Sequence, residues 1–373
     1  MKNLNNYLSL IKPSLIRQFS EKKTFVNLSI GEDKGQPPFL FRMLAFMRSG
    51  SNYISGKGFL PLRKEIKKFV VKEYGLDYDL DEILITAGSS NALDLALRVI
   101  LNPGDEVIIP KPSYVAYEPL VLALGCKVIA YELTANDNYE IKAKKLSSLI
   151  TAKTKLLIMN YPHNPTGAMM SYDNLLALSK IVEKYDLYVI SDEIYSMYAY
   201  QKKHYSIAGF PGMKERSIVL NGASKSFKMT GHRLGYALAP VNIINGMLSL
   251  FQYSIISTSA YSMYLAYYCY KYYRYIKSGI IKQYAQKRKY LMRKLDSLQL
   301  KYFIPDGAFY FWLLIPNSLN VCRYLLDNGL AVTPGIAFQN DDRMIRISYT
   351  VKLKQLKRFF SCLKKLMNPL NKC

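Results

Sequence analysis

ILITAGSSNALDLALRVILNPGDEVII, residues 83–109, holds the pattern that decides the fold. Ile83 to Thr86 is a short apolar run that breaks into Ala87-Gly88-Ser89-Ser90. Beyond it Leu93, Ala96, Leu97 and Ile100 recur at helical spacing on one face. Asn102-Pro103-Gly104-Asp105 is a turn, and Glu106 to Ile109 is the next apolar run. The alternation continues outward, with a helix to Leu124 ended by Gly125 and strands at Lys127 to Tyr131, Lys155 to Met159, Leu187 to Ile190 and Ser217 to Leu220. Helices at about 142–150 and 171–185 separate several of these strands. Strand–helix alternation of this kind predicts an α/β fold with a mainly parallel sheet covered on both faces.

After about residue 240 the texture changes. Long helical stretches run to Leu298, followed by strand candidates at Lys301 to Ile304 and Ala308 to Ile315. A helix around Val321 to Asn328 and a strand at Met344 to Ser348 come next. The last helix, Val351 to Met367, sets Leu353, Leu356, Phe360 and Leu363 opposite its lysines. This part reads as a smaller α+β domain, and the N-terminal segment is expected to pack with it.

The chain has 373 residues, of which 50% are hydrophobic and 21% charged, enough apolar material for a core and too much for a disordered chain. No apolar run is long enough to span a bilayer, and Met1 to Ser20 lacks a cleavable signal pattern. Cys126, Cys269, Cys322, Cys362 and Cys373 are scattered, with no pair at metal-ligand or redox spacing. Neither a metal site nor a disulfide is expected, and a reducing cytoplasm fits best. The net charge is +24. The excess is spread along the chain in short runs such as Arg63-Lys64 and Lys67-Lys68, with no nucleic-acid-binding motif beside it, so neither nucleic acid nor membrane is the expected partner.

Four places carry chemistry. Ser224-Lys225 follows the strand ending at Leu220, with Met229-Thr230-Gly231-His232-Arg233 beyond it. Lysine forms Schiff bases when its surroundings lower its pKa, and an arginine can grip a phosphate with a fixed fork. Asn164-Pro165-Thr166-Gly167 is a turn in which a cis bond is possible. Ser191-Asp192-Glu193-Ile194-Tyr195 puts a carboxylate at the carboxyl end of an apolar strand, where α/β ligands bind. Gly88-Ser89-Ser90 exposes helix-start amides of the kind that bind phosphate. Taken singly these are a surface lysine, a β-turn, a helix-cap acid and an ordinary strand-to-helix turn.

Together and in this order they resemble the class I/II pyridoxal-phosphate aminotransferases of fold type I, in the aspartate/aromatic branch. Gly58-Phe59-Leu60-Pro61-Leu62-Arg63, Pro305-Asp306-Gly307-Ala308-Phe309-Tyr310 and Ile345-Arg346-Ile347-Ser348-Tyr349 extend the likeness. The resemblance implies a large cofactor-binding domain over 49–275, with a mainly parallel, seven-stranded sheet between helices. It implies a small domain over 276–373, with 1–48 packed against it. Lys225 is then the Schiff-base lysine and proton shuttle of a ping-pong transfer between an L-amino acid and a 2-oxo acid. Asp192 pairs with the pyridinium nitrogen, and Tyr195 and Asn164 bond the ring hydroxyl oxygen. Gly88, Ser89, Ser90, Ser224 and Arg233 surround the phosphate, and Tyr114 stacks on the ring. Gly31, Asn164 and Arg346 receive the substrate carboxylate. Tyr53 reaches the phosphate of a neighbouring subunit, so that a homodimer shares its active sites.

The sequence departs from that pattern at Lys228, where a small residue is usual, and at His232, where this branch has Trp. Asp33-Lys34-Gly35 replaces the common Pro-Asp, and His163 stands where Asn is more usual. Lys228 and His232 read as solvated or packing residues. Rival readings are another pyridoxal-phosphate reaction on this scaffold (a C–S β-lyase, a decarboxylase or an oxygen-dependent enzyme) and a non-catalytic binding protein. A regulator of that kind carries an added DNA-binding domain, for which the stretch before Gly31 is too short.

Overall fold

Alternate residues of the central strands pack into different apolar clusters, which shows that the sheet is buried on both faces. Val107 and Ile109 join one cluster while Ile108 joins another, and Leu156 and Ile158 likewise oppose Leu157 and Met159. The computed structural model describes residues 7, 11, 13–339 and 342–370, and Cys373 and residues 1–6 of the N-terminal segment lie outside them. Among the described residues seven strands form the central sheet: β1 (Ile83–Thr86), β2 (Glu106–Lys111), β3 (Lys127–Glu132), β4 (Thr154–Asn160), β5 (Tyr188–Asp192), β6 (Ser217–Gly222) and β7 (Gly235–Leu238). Their order is β1-β7-β6-β5-β4-β2-β3. All neighbours are parallel except β7, which runs antiparallel to both β1 and β6. The sequence reading missed β7, a four-residue run that follows the Lys225 loop with only the single 3-10 turn Thr230–His232 before it.

One face of the sheet carries helices Ser89–Ile100 and Val241–Ser254, through Leu93, Ala96, Ile244 and Met247. The other carries Tyr172–Lys184, through Leu175, Leu178 and Val182. The Ser171 side chain caps that helix by accepting from the Asn174 amide. Helix Leu60–Tyr74 starts with Pro at its N-terminus and stops at Gly75 in the left-handed conformation.

The C-terminal part has a four-stranded sheet in the order Thr333–Pro334, Met344–Ser348, Tyr310–Leu314, Tyr302–Phe303. Val26–Asn27 pairs in parallel with Leu330–Ala331, and the Ser348 amide bonds the Leu28 carbonyl. Helix Phe39–Arg48 lies instead on helix Ala260–Lys271, with Phe41 stacked on Tyr268 at 6.1 Å and on Tyr272 at 5.4 Å. Its aromatic face finds its match there.

Candidate active site

Parallel strands bring their carboxyl ends to one edge, and register sets which residues meet there. Asn160 lies opposite Asp192, and Asp192 opposite Leu220. Directly after β6, the short helix Ala223–Ser226 turns Lys225 toward the same edge. A cavity of about 550 Å³ opens there, lined by Gly31, Ser89, Ser90, Tyr114, Asn164, Asp192, Tyr195, Ser224, Lys225, Arg233 and Arg346. Of the expected site residues, Gly88 backs the cavity through Arg233, while Tyr53 is 80% exposed and lies away from it.

The electrostatics differ along the cavity. The Lys225 amine is half-buried and donates to the Gly31 carbonyl at 2.7 Å. Burial, opposed by Glu32 and reinforced by Arg346 and Arg233, pulls its pKa down to about 8. Asp192 is buried and accepts from the Tyr117 hydroxyl at 2.7 Å and from the Ile194 amide at 3.2 Å. Burial nevertheless lifts its pKa to about 6, more than these hydrogen bonds lower it. At the far end Arg346, 2% exposed, donates to Asn164 Oδ1 at 2.8 Å and to the Ser29 carbonyl. Its Nε has no partner, and among the described residues it forms no ion pair. A buried guanidinium with an open nitrogen and no acid beside it is built to receive a carboxylate.

The residues also fit pyridoxal phosphate. Helix Ser89–Ile100 starts at Gly88 (φ 88°) with no side-chain cap, so its first amides stay available for a phosphate. A Cβ at Gly88 would lie 2.6 Å from Arg233 Nη2, so only glycine lets the guanidinium lie against that helix start. Asp192, a buried acid short of a cation, suits a protonated ring nitrogen. The Asn164–Pro165 bond is cis.

Sequence reasoning missed several groups. Tyr117 is fully buried on Asp192 and packs edge-on to Tyr114 at 5.5 Å. Asn160 accepts from the Asn164 amide and donates to the Asp192 carbonyl. Its signal was visible, because it is the polar residue that ends the apolar β4 run. Tyr310 shares a 2.7 Å hydrogen bond with Tyr195 and has the Arg346 guanidinium 4.5 Å from its ring centre. Among the departures, His163 is buried, stacked on Tyr161 and bonded to Thr166, and burial pushes its pKa to about 3. His232 packs beside Tyr261 at 5.6 Å. Lys228 is neither solvated nor a packing residue, because its ammonium pairs with Asp33 at 3.1 Å. Among the described residues there is no cluster of three or more metal-ligating side chains, and no helix is long and apolar enough to cross a membrane.

A lysine, an acid and an uncapped helix start at the carboxyl edge of this sheet define the class, a fold type I pyridoxal-phosphate-dependent transferase. The sequence profile described as Aminotransferase class I and II matches residues 23–363, and the chain belongs to that family. It is similar to the probable aspartate aminotransferase of Methanocaldococcus jannaschii, with 33% identity over 95% of this chain and 97% of that protein. A Thermus thermophilus aspartate aminotransferase mutant superposes with a TM-score of 0.90 and 29% identity, covering 97% of this chain and 98% of the other. The aromatic aminotransferase from Pyrococcus horikoshii OT3 superposes with a TM-score of 0.90 and 30% identity, over 98% and 99%. The protein is thus a pyridoxal-phosphate-dependent aminotransferase, acting on an amino acid and a 2-oxo acid.

Proposed function

We propose that Lys225 is the lysine to which the cofactor attaches and the group that moves the proton at the substrate Cα. The observation that carries this reading is the half-buried Lys225 amine, held on the Gly31 carbonyl inside the cavity with its pKa drawn down to about 8, close enough to neutrality to take and return a proton. When bound, pyridoxal phosphate supplies an electron sink for the pair left on Cα. Arg233, Ser89, Ser90, Ser224 and the Gly88 turn would hold its phosphate, and Asp192 its ring nitrogen. Tyr195 and Asn164 would hold its ring oxygen, and Tyr114 would lie on its face. Arg346, Asn164 and Gly31 orient the amino acid by its α-carboxylate. Borohydride reduction followed by peptide mapping should label Lys225, and a label on another lysine sinks the assignment.

For the donor we favour an aspartate-like or aromatic L-amino acid, on the names of the relatives. Mixing the pyridoxal form with each of the twenty amino acids and following its absorbance selects among them. We read 49–275 as the cofactor domain and 276–373 as the small domain, joined by helix Tyr273–Ser297 across that boundary. The free cysteines Cys126, Cys269 and Cys322, all buried, support a cytoplasmic site.

We also read the protein as a homodimer with shared sites. Phe39, Phe46, Met47 and Tyr53 are each more than 70% exposed, an apolar face suited to a second copy. Lys225→Ala and Tyr53→Asp should each be nearly inactive. Co-refolded, they should regain up to about a quarter of wild-type activity, because one site of each hybrid collects both defects and the other none. A hybrid confirmed by mass yet inactive rules out the shared site.

A further inference from the structure

Three consecutive residues ahead of helix Phe39–Arg48 each hold a residue of the Lys225 loop. The Gly31 carbonyl accepts from Lys225 at 2.7 Å, Glu32 Oε1 accepts from the Thr230 hydroxyl at 2.5 Å, and Asp33 Oδ2 meets Lys228 Nζ at 3.1 Å. The first two rungs line the active-site cavity. The third lies outside it, on the wall of a second cavity of about 850 Å³. Its partners, 33 and 228, stand at two of the places where the sequence leaves the pattern it otherwise follows.

The third rung is well built. Asp33 also accepts from the Tyr284 hydroxyl at 2.7 Å and from the Gly35 amide at 2.8 Å. Burial works to raise its pKa, but Gly35, Tyr284 and Lys228 outweigh this and hold it below the ordinary value, so Asp33 is a carboxylate at neutral pH. The two side chains are 12% and 19% exposed, which limits screening by salt. Lys228 has φ 57°, a left-handed conformation that its β-carbon disfavours, and it keeps that conformation while reaching Asp33. A Cβ on Gly35 would come within 2.7 Å of Lys228 Cδ and 2.9 Å of its Nζ, which shows how closely the lysine lies across the segment.

We propose that the Asp33–Lys228 ion pair is a positioning latch that seats segment 31–33 against the Lys225 loop, so that Gly31 and the Lys225 amine stand ready before the amino acid arrives. Neither residue touches the reacting atoms; both act through Gly31 and Lys225. The proposal rests on the roles given to those two residues above. Without the latch, the substrate has to order the segment as it binds, which weakens capture more than it slows the chemistry.

The test uses the holoenzyme. Lys228→Met and Asp33→Asn should each raise KM for the amino acid about five- to tenfold and leave kcat within about twofold. Hydrogen exchange at the amides of 31–35 should quicken in both. The double variant should be no worse than either single one, and Lys228→Arg, which keeps the cation, should stay near wild type. Lys228→Gly relieves the left-handed strain while breaking the pair, so its Tm should hold while its KM rises. Unchanged KM in Lys228→Met, additive losses in the double variant, or KM, kcat and Tm worsening together in Lys228→Gly would each overturn the latch. If borohydride labels another lysine, the assignment of Lys225 fails, whereas exchange at 31–35 still reports on the latch itself.

Discussion

Asp192 and Glu193 are adjacent carboxylates at the end of β5, and they are treated in opposite ways. Glu193 is 1% exposed and fully engaged: Ser191 and Ser206 donate to Oε1 at 2.9 and 2.5 Å, and His204 Nε2 lies 2.9 Å from Oε2. Asp192 faces the cavity with one hydroxyl and one amide, and burial leaves its pKa at about 6. The same contrast separates two buried arginines. Arg288 places its Nε on the Pro305 carbonyl at 2.6 Å, whereas the Nε of Arg346 is open. Within these two pairs, Glu193 and Arg288 are satisfied by the protein itself, whereas Asp192 and Arg346, which line the cavity, are left incomplete.

The sharpest way to break this contrast is to neutralise each acid in turn. Asp192→Asn should lose about 10³-fold or more in kcat, because an amide cannot hold the ring nitrogen protonated and the electron sink weakens. Its Tm should not fall. Near-normal turnover in Asp192→Asn would show that the ring nitrogen is managed elsewhere. Glu193→Ala should do the reverse and cost about 3 kcal/mol of stability, since His204 and Ser206 lose their buried hydrogen-bond partner. The folded fraction should keep kcat within a few-fold, measured by urea unfolding beside steady-state kinetics.

A pH series sharpens the comparison further. In the cofactor-free protein the folded pKa of Asp192, about 6, lies above its ordinary value of 3.8. The folded state therefore binds the proton more tightly. No penalty applies below about pH 4, where both states are protonated, and stability falls as pH rises toward 6, by about 3 kcal/mol in all. Asp192→Asn lacks that term. Urea midpoints of the two proteins should diverge in favour of the variant between about pH 4 and 6, and parallel curves would mean that Asp192 is better compensated than its contacts indicate.

Much of this was legible in the sequence, for local reasons. The parallel strands are apolar runs closed by turn residues, and Asp192, Lys225 and the Gly88 turn stand where those runs stop. Contacts between distant segments were not legible. Nothing near Tyr117 signals that its hydroxyl meets a carboxylate 75 positions away, because a tyrosine at a helix start looks like any other. The packing of helix Phe39–Arg48 on Ala260–Lys271 depends on matching two aromatic faces, and a single helical period does not name its partner. Lys228 and Asp33 were visible as oddities, but their pairing needed the loop and the segment side by side.

The smallest effect tests how incomplete Asp192 really is. Tyr117 is fully buried, and its phenol is held well above the ordinary pKa by burial and by the charge of Asp192, so it stays a donor throughout the working range. Its 2.7 Å bond favours the ionised form of Asp192. In Tyr117→Phe that help is gone and the Asp192 pKa climbs further. The carboxylate is then lost at a higher pH as the solution is acidified, so the acid limb of kcat/KM should move upward. A hydrogen bond to a charged group of this kind corresponds to about tenfold in kcat at neutral pH. The loss should shrink on the alkaline side, where Asp192 is ionised with or without the phenol. An acid limb that stays in place while activity drops uniformly would mean that Tyr117 only fills space behind Asp192, and the contrast with Glu193 would then rest on the backbone amide of Ile194 alone.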